Sequence, residues 1–446
     1  MHLKTVFQKK NLEQVMFLFA LLMVFGMPWS RVFFQLGLYG LIGCFLLSGR
    51  WREKFSTVRD SKVFLSAAAL SLLAIISLSY TTAPMNLAWI DVSRYLKLLM
   101  VGVMMFALGS RKKRFGVLVA LASGIAVLML PTLLDGSGLA ATLDLPIKQF
   151  ANQAYSAEHT AKGFGNLVYW KNQIAHGFFV SILCFICLCC AVQWKRYRLP
   201  LVLLAAICVI DIVFFIYGRM ALLSLAASLL LFALLQVRSM KVRLLTLTSI
   251  LALFAIAYLS LDVVNQRIET IVTETRGYFR DNNSATSAGI RLHYWNISLQ
   301  LFNESRFLGV GAGGFRHFLE TTQDQFSNQN HSHTHNEYLT ALAQYGLIGL
   351  AALVAMLVLA LLHARKVDDR VDRHCYQGIL VIFSLGCLSD SMLYNQDEGW
   401  TLVFVLALIA AATSKTLAEP KATPPPASSP QDLTTTRPAP KEEKTK

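Results

Sequence analysis

A histidine-rich segment, HSHTHNEYL at residues 331–339, stands directly in front of a long apolar run. His331, His333 and His335 alternate, so their side chains share one face only if the segment is extended. Imidazole is both a common metal ligand and a base suited to neutral pH. The HEXXH spacing of zinc proteases is absent, and neighbouring carboxylates fit no ligand pattern. A catalytic base is therefore favoured, and a metal site or a polar loop end are the alternatives.

Arginines stand on the same side of the apolar runs as these histidines. Arg219 lies in FFIYGRMALL, at a very short corner without another charge, where the start of a helix also favours an anion. Arg291 lies near the start of a helical-looking segment, GIRLHYWNISLQLF. Further arginines share the same long polar segment: Arg267, Arg276, Arg280, Arg306 and Arg316. The guanidinium fork matches phosphate oxygens, so some of these arginines are predicted to bind a phosphate or diphosphate, whereas solvated ion pairs are favoured for Arg276 and Arg280. Snorkelling for Arg219 and solvated ion pairs for the others are the alternatives.

A glycine-rich segment, LGVGAGGF at 308–315, invites comparison with nucleotide-binding loops. It lacks the Lys-Ser/Thr pair of a P-loop and no strand precedes it, which excludes both the P-loop and the Rossmann fingerprint. We predict instead a turn that lets the chain approach a ligand or another helix closely.

The composition identifies the elements that must position these residues. Of the 446 residues, 55% are hydrophobic and 15% are charged, and the mean hydropathy is +0.49. These values lie outside the range of soluble domains and predict an all-α polytopic membrane protein. The net charge of +15 comes from short basic clusters between apolar runs, so topology explains it better than nucleic-acid binding. The eight cysteines lie in or beside apolar runs, which implies neither a disulfide framework nor a metal site.

Twelve membrane spans are predicted, at 14–28, 32–48, 63–80, 96–110, 115–134, 173–193, 199–217, 219–236, 244–262, 337–363, 376–392 and 400–414. Alternate connections are rich in Lys and Arg, for example RKKR at 111–114, and the positive-inside rule assigns them to the cytoplasm. Both termini are then cytoplasmic, and HSHTHNEYL faces outward. Asp211 falls inside a predicted span and is therefore expected to face protein rather than lipid.

The domain organisation follows from these spans. Residues 1–415 form the predicted transmembrane domain, and 263–336 form a large outer loop with enough aromatic and aliphatic residues to fold. The tail at 416–446 is rich in Pro, Ser, Thr and Lys and is predicted to be disordered and cytoplasmic.

The order of these motifs resembles the O-antigen ligase family, within the O-antigen ligase/polymerase superfamily. The motifs are YGRMALL, GIRLHYW, LGVGAGGF and THNEYLTALAQYGLIGL, the last containing His335, Asn336, Leu339 and GLIG at 346–349. NLVYWKNQIAHG, with Asn172 before a span, resembles another superfamily element. The motif-bearing region covers about 164–350, and the twelve-span layout extends the likeness over most of the chain.

The resemblance implies a GT-C-type glycosyltransferase of the Gram-negative inner membrane, with its active site in the periplasm. Such an enzyme transfers a polysaccharide from undecaprenyl diphosphate to lipid A–core and needs neither a nucleotide sugar nor a metal. It makes His335 the catalytic base and Arg219 and Arg291 the residues that bind the diphosphate. His333, Asn336, Arg267 and Asn172 are possible supporting residues. Direct attack by the acceptor would invert the anomeric configuration.

Two alternatives remain open from the sequence. An O-antigen polymerase or a protein O-oligosaccharyltransferase of the same superfamily would share the donor half of the site. A twelve-span secondary transporter is disfavoured because the two halves show no repeat and one dominant outer loop breaks the symmetry.

Overall fold

The computed structural model describes residues 9–49, 51–143, 171–216, 218–236, 239–322 and 333–417. Within these ranges every regular element is a helix, as the composition predicted. The α-helices are α1 Lys9–Gly26, α2 Arg31–Leu47, α3 Trp51–Arg59, α4 Lys62–Ile76, α5 Met85–Leu96, α6 Met100–Ala107, α7 Arg111–Gly136, α8 Leu139–Thr142, α9 Gln173–Gln193, α10 Arg198–Ile210, α11 Arg219–Gln236, α12 Met240–Ser260, α13 Asp262–Asp281, α14 Ser287–Glu304, α15 Gly314–Thr321, α16 Glu337–Ala364, α17 Arg370–Gly386 and α18 Gln396–Thr413. The predicted tail from 418 onward lies outside the described residues, as do residues 323–332 of the predicted outer loop at 263–336, which include His331.

The chain is a multi-pass membrane protein. By length and composition, six helices of the described part could cross a membrane, or seven if the bent pair of α2 and α3 forms one span. The six are Lys62–Ser79, Arg111–Gly136, Gln173–Gln193, Lys195–Phe215, Met240–Ser260 and Glu337–Ala364. Each of the twelve predicted spans overlaps at least one helix, although several of those helices are short. The count of twelve therefore stays a prediction.

Two apolar helices show opposite environments. Almost every residue of α9 is buried, against α10, α11 and α17, so this helix lies in the centre of the bundle. In contrast, α12 has no buried residue, and leucines such as Leu253 and Leu259 are largely exposed on it. A helix that is apolar on all sides and open to its surroundings is stable in lipid rather than in water. The burial pattern therefore supports a membrane environment for α12.

The described residues between α12 and α16, at 261–322 and 333–336, are largely helical. They contain α13, α14 and α15, and side chains of the last two form a small core of their own. The members of that core are Tyr294, Ile297, Leu301, Val310, Phe315 and Leu319. Thr81 and Thr82, in the segment before α5, hydrogen-bond to the carbonyls of Ala312 and Val310, so both segments lie at the same end of the bundle.

The glycine-rich segment packs against a break in α16. Gly346 has φ 67° and ψ −161°, which interrupts the helix. The break leaves carbonyls without their helical donors, and the amides of Val310 and Gly311 donate to Ala343 O and Gln344 O at 2.9 and 2.8 Å. Gly311 also has a left-handed φ of 79° and lies directly against Thr81. The close approach predicted for LGVGAGGF is therefore to a kinked helix.

Gly346→Ala is expected to destabilise the protein by about 1–3 kcal/mol, because a side chain is strained at this φ and would meet the Phe307 and Leu308 carbonyls. Thermal unfolding in detergent, followed by loss of monodisperse protein, measures the effect. Gly43→Ala is the matched control, since it lies in α2 with open space around it and should be neutral or mildly stabilising. Equal midpoints for the two variants would contradict this account of the kink.

Candidate active site

His335 stands at the entrance to α16. The next residue, Asn336, is extended and caps the helix, accepting a hydrogen bond from Leu339 N at 3.1 Å. The same Asn336 side chain donates to Leu388 O at 3.0 Å, which ties the helix start to the loop after α17. His335 itself has a left-handed φ of 53°, a conformation that is uncommon for a non-glycine residue. The backbone around His335 is therefore held by its neighbours, and Asn336 acts as the structural anchor.

The partner of His335 is Asp390, which the sequence reasoning did not identify. His335 Nδ1 lies 3.2 Å from Asp390 Oδ1. Ser391 N and the Asn395 side chain also donate to this carboxylate, at 2.9 and 3.0 Å. The apolar pattern predicts that residue 390 lies in a span at 376–392, but α17 ends at Gly386 and 387–395 form a loop that turns back to α16. An acidic residue inside an apparent apolar run was the only signal that could have found it.

The charge on Asp390 follows from its surroundings. Burial alone would raise the pKa of this carboxyl group. The hydrogen bond from His335, the charge of Arg291 and the electrostatic effect of both histidines when they are protonated outweigh burial and hold the pKa of Asp390 well below its usual range. Asp390 is therefore a carboxylate at neutral pH. Because it can only accept a hydrogen bond, Nδ1 of His335 must donate, which leaves Nε2 as the basic nitrogen.

His333 lies beside this pair. Its Nδ1 is 3.9 Å from Asp390 Oδ1 and accepts a hydrogen bond from His335 N at 3.3 Å. The two imidazole rings meet edge to face with centroids 4.5 Å apart, and each side chain keeps 15% exposure. Tyr294 stacks on His335 at 6.2 Å, and Tyr394 contacts His333 at 5.2 Å. His333 thus supports the backbone and packing of His335.

The same atoms could also hold a metal ion. Three possible ligand atoms, one each from His333, His335 and Asp390, lie within 4.8 Å of one another. In the described ranges this is the only group of three or more His, Cys, Asp or Glu side chains with ligand atoms this close together. Two imidazoles and a carboxylate are suitable ligands for several transition metals. The geometry therefore leaves a metal centre and a His–Asp base as two chemical readings of one cluster. The cysteine-rich run in α9 forms no such group among the described residues, and all eight cysteines are buried without disulfides.

Arg291 joins the cluster through the same loop. It lies in the first turns of α14, whose start is capped by Thr286. Its Nε donates to Ser389 O at 3.3 Å, and its Nη1 donates to the carbonyl and hydroxyl oxygens of Ser287, both at 2.6 Å. Since Ser389 precedes Asp390, the guanidinium and the His335 imidazole share one supporting loop. The structure therefore brings Arg291 and His335 to the same loop.

The other predicted site residues lie on other elements. Arg219 is the first residue of α11, and its side chain lies outside what the structure describes. Arg267 on α13 is 2% exposed and its Nη1 donates to Ile212 O at 3.2 Å. Asn172 caps α9 by accepting from Ala175 N at 2.8 Å, which gives it a structural role.

Asp211 has a partner that the sequence did not reveal. It opens a five-residue π-helical segment, Asp211–Phe215, the same segment whose Ile212 carbonyl receives Arg267. His176 of α9 contacts the Asp211 carboxylate at 2.9 Å, and both side chains are fully buried. The expectation that Asp211 faces protein is correct, and the pair joins α9 to the π-helical segment.

Two further carboxylates fix the loop at 387–395. Glu337 accepts from the Tyr95 hydroxyl at 2.8 Å and from the amides of Leu393 and Tyr394 at 2.9 and 3.2 Å. Asp91 of α5 accepts from the Tyr394 hydroxyl at 3.1 Å, from the Gln344 amide at 2.7 Å and from Gly313 N at 3.1 Å. The loop that carries Asp390 is thereby bound to α5, to α16 and to the glycine-rich segment.

The fold and this cluster define a multi-pass membrane protein with a polar His–Asp–Arg site at the end of a spanning helix. Comparison with known families is more specific: residues 204–354 match the family described as O-antigen ligase. These residues are an O-antigen ligase domain, which confirms the resemblance drawn from the sequence. The domain includes Arg219, Arg267, Arg291, His333, His335 and Asn336. Asp390 lies beyond its end.

A relative is similar over a shorter stretch. An uncharacterized protein of Haemophilus influenzae is 25% identical over 132 residues, which are 27% of this chain and 32% of the relative. The chain thus spans about a third of the length of that relative.

Proposed function

We propose that the protein is an O-antigen ligase. It transfers a polysaccharide from undecaprenyl diphosphate to the lipid A–core oligosaccharide, at the periplasmic face of a Gram-negative inner membrane. The observation that carries the proposal is the His335–Asp390 hydrogen bond beside Arg291, at the end of an O-antigen ligase domain. The twelve-span topology with both termini in the cytoplasm is part of the proposal.

The proposed reaction uses His335 as a general base. Nε2 removes the proton from an acceptor hydroxyl as that oxygen attacks the anomeric carbon, and the bond from this carbon to the diphosphate oxygen breaks. The new glycosidic bond has inverted configuration, and undecaprenyl diphosphate leaves with the bonding electron pair. Asp390 stabilises the imidazolium that forms on His335, as a carboxylate does for a catalytic histidine elsewhere.

Arginines supply the electrostatic part of the reaction. The diphosphate gains negative charge as it leaves, and fixed guanidinium groups stabilise that charge without reorganisation. Arg291 is suited to this because two of its nitrogens are already oriented by Ser287 and Ser389. Arg219 is assigned to the same diphosphate on the strength of its motif, with Arg267 in support. Both substrates carry lipid chains, which accounts for a site at the end of membrane helices.

Reconstitution tests the proposal directly. The full chain, purified into lipid nanodiscs, is given an undecaprenyl diphosphate-linked polysaccharide and one of three acceptors: lipid A–core, a second lipid-linked glycan, or a serine-containing protein. We expect transfer to lipid A–core. Product formed only with the second glycan would identify a polymerase, and product formed only on protein would identify an oligosaccharyltransferase. Transfer to none of the three acceptors would overturn the proposed chemistry.

Adding a chelator to the same assay distinguishes a His–Asp base from a metal centre at the histidine cluster. If His335 is a base, turnover in EDTA should stay within about twofold of the untreated rate, since general-base catalysis requires no metal. Loss of turnover in EDTA, restored by one added divalent ion, would assign His333, His335 and Asp390 to a metal centre. Inhibition that no ion restores would point to damage of the nanodisc and is checked by size-exclusion chromatography.

A further inference from the structure

A continuous row of side chains leads from the candidate base to a second arginine. Tyr294 stacks on His335, His335 meets His333, and His333 contacts Tyr394. On Tyr394 lies the guanidinium of Arg94, with its Cζ 5.2 Å from the ring centroid. Arg291 lies three residues before Tyr294 on α14, so the two histidines stand between two arginines.

Arg94 is held in place by stacking. It belongs to α5, its side chain is partly buried, and within the described part of the chain it makes no hydrogen bond and no ion pair within 4.0 Å. A guanidinium that lies over an aromatic ring keeps its N–H groups available at its edge. Arg94 therefore presents an oriented set of donors for a ligand.

The platform beneath Arg94 is rigid. The Tyr394 ring is fixed by its hydroxyl on Asp91, and its amide donates to Glu337. Burial raises the pKa of Asp91 to about 6, and this carboxyl group already receives three hydrogen bonds, from Gln344, Tyr394 and Gly313. Asp91 thus orients Tyr394, whereas the Arg94 guanidinium lies outside its set of hydrogen-bond partners.

We propose that Arg94 binds a phosphate group on the acceptor glycolipid and so positions the acceptor hydroxyl at His335. The inference rests on the proposed function, which assigns the donor diphosphate to Arg219 and Arg291. The second substrate must then reach His335 from another direction, and the Tyr394 end of the row carries a cation suited to phosphate. Arg94 would be a substrate-binding residue, with Tyr394 as the residue that positions it.

The test is the steady-state kinetics of Arg94→Ala with two acceptors. One is lipid A–core with its phosphates intact, and the other is the same glycolipid after chemical removal of its phosphates. With the intact acceptor we expect the KM for acceptor to rise about 10–100-fold, the loss expected for a charge-assisted hydrogen bond. The KM for donor and kcat should change less than about threefold, since the reacting groups stay in place. With the phosphate-free acceptor, the variant and the unmodified protein should have the same KM.

Arg316→Ala is the matched control. Arg316 also lies near the glycine-rich segment, on α15, but it is paired with Glu320 at 2.8 Å on the same helix. Its loss removes one positive charge from this region and should leave the acceptor KM within about twofold. An unchanged acceptor KM in Arg94→Ala, or a rise in the donor KM instead, would overturn the proposal for Arg94.

Binding without turnover separates the two levels of inference. The Kd of lipid A–core is measured in nanodiscs with no donor present, for the unmodified protein and for Arg94→Ala. If lipid A–core binds through its phosphates and Arg94 but receives no glycan, the proposed function fails and the Arg94 site stands. If transfer to lipid A–core proceeds and the Kd is the same for both proteins, the Arg94 site fails and the proposed function stands.

Discussion

His335→Ala is expected to lower the rate of glycan transfer by about 10²–10⁴-fold, the range over which a positioned general base accelerates reactions. The variant should still fold and insert, because α16 is capped by Asn336 rather than by His335. The loss of activity should appear in kcat, with little change in the KM for donor or acceptor. The reason is that the imidazole accepts a proton in the transition state and does not contribute to the binding of either glycan. The measurement is single-turnover transfer from a preloaded donor, which separates the chemical step from product release.

Two neighbouring variants make this result specific. Asp390→Asn keeps the shape of the side chain but removes its negative charge. That charge stabilises the imidazolium form of His335 and selects the tautomer protonated at Nδ1, so this variant should also have a lower kcat. His333→Ala removes an imidazole that lies 3.9 Å from Asp390 and should lose much less activity. Full activity of His335→Ala, or a larger loss in His333→Ala, would move the basic role away from His335.

The all-α architecture could be predicted because it depends on local properties. Apolar runs of sufficient length indicate helices whatever surrounds them, and each predicted span overlaps one. The ends of the helices were less predictable. The run at 376–392 does not by itself fix the end of α17 at Gly386, because the stop depends on contacts with distant elements, such as the bond from Glu337 N to Cys387 O. The kink at Gly346 depends in the same way on carbonyl acceptors used by Val310 and Gly311.

In the candidate site, too, the residues in local motifs could be predicted and those that depend on distant contacts could not. His335 and Arg291 were found because their motifs are contiguous and their residue types suit the chemistry. Asp390 was missed because it lies 55 residues from His335 and was hidden in an apparent span. Arg94 was missed because its significance comes only from the ring of Tyr394, in another segment. Asn172 could have been recognised as structural, since an Asn directly before an apolar helix is a typical N-cap.

Arg291→Lys is expected to reduce transfer by about 10²-fold or more, comparable to the removal of one oxyanion donor in other enzymes. Lysine keeps the charge but cannot reproduce the fork. In this site, Arg291 donates from Nε to Ser389 O and from Nη1 to Ser287, and these bonds fix the plane of the guanidinium. A single ammonium cannot make both anchors and still offer a second donor to a phosphate oxygen.

The kinetic pattern should differ from that of His335→Ala. A residue that neutralises the leaving diphosphate contributes in the transition state and, more weakly, to donor binding, so kcat should fall and the donor KM should rise. The acceptor KM should stay unchanged. A donor in which a better leaving group replaces the diphosphate needs less stabilisation of negative charge. With this donor, the transfer rates of Arg291→Lys and of the unmodified protein should therefore differ less. Full activity of the lysine variant would show that charge alone suffices, and bidentate recognition by Arg291 would be the wrong account of this site.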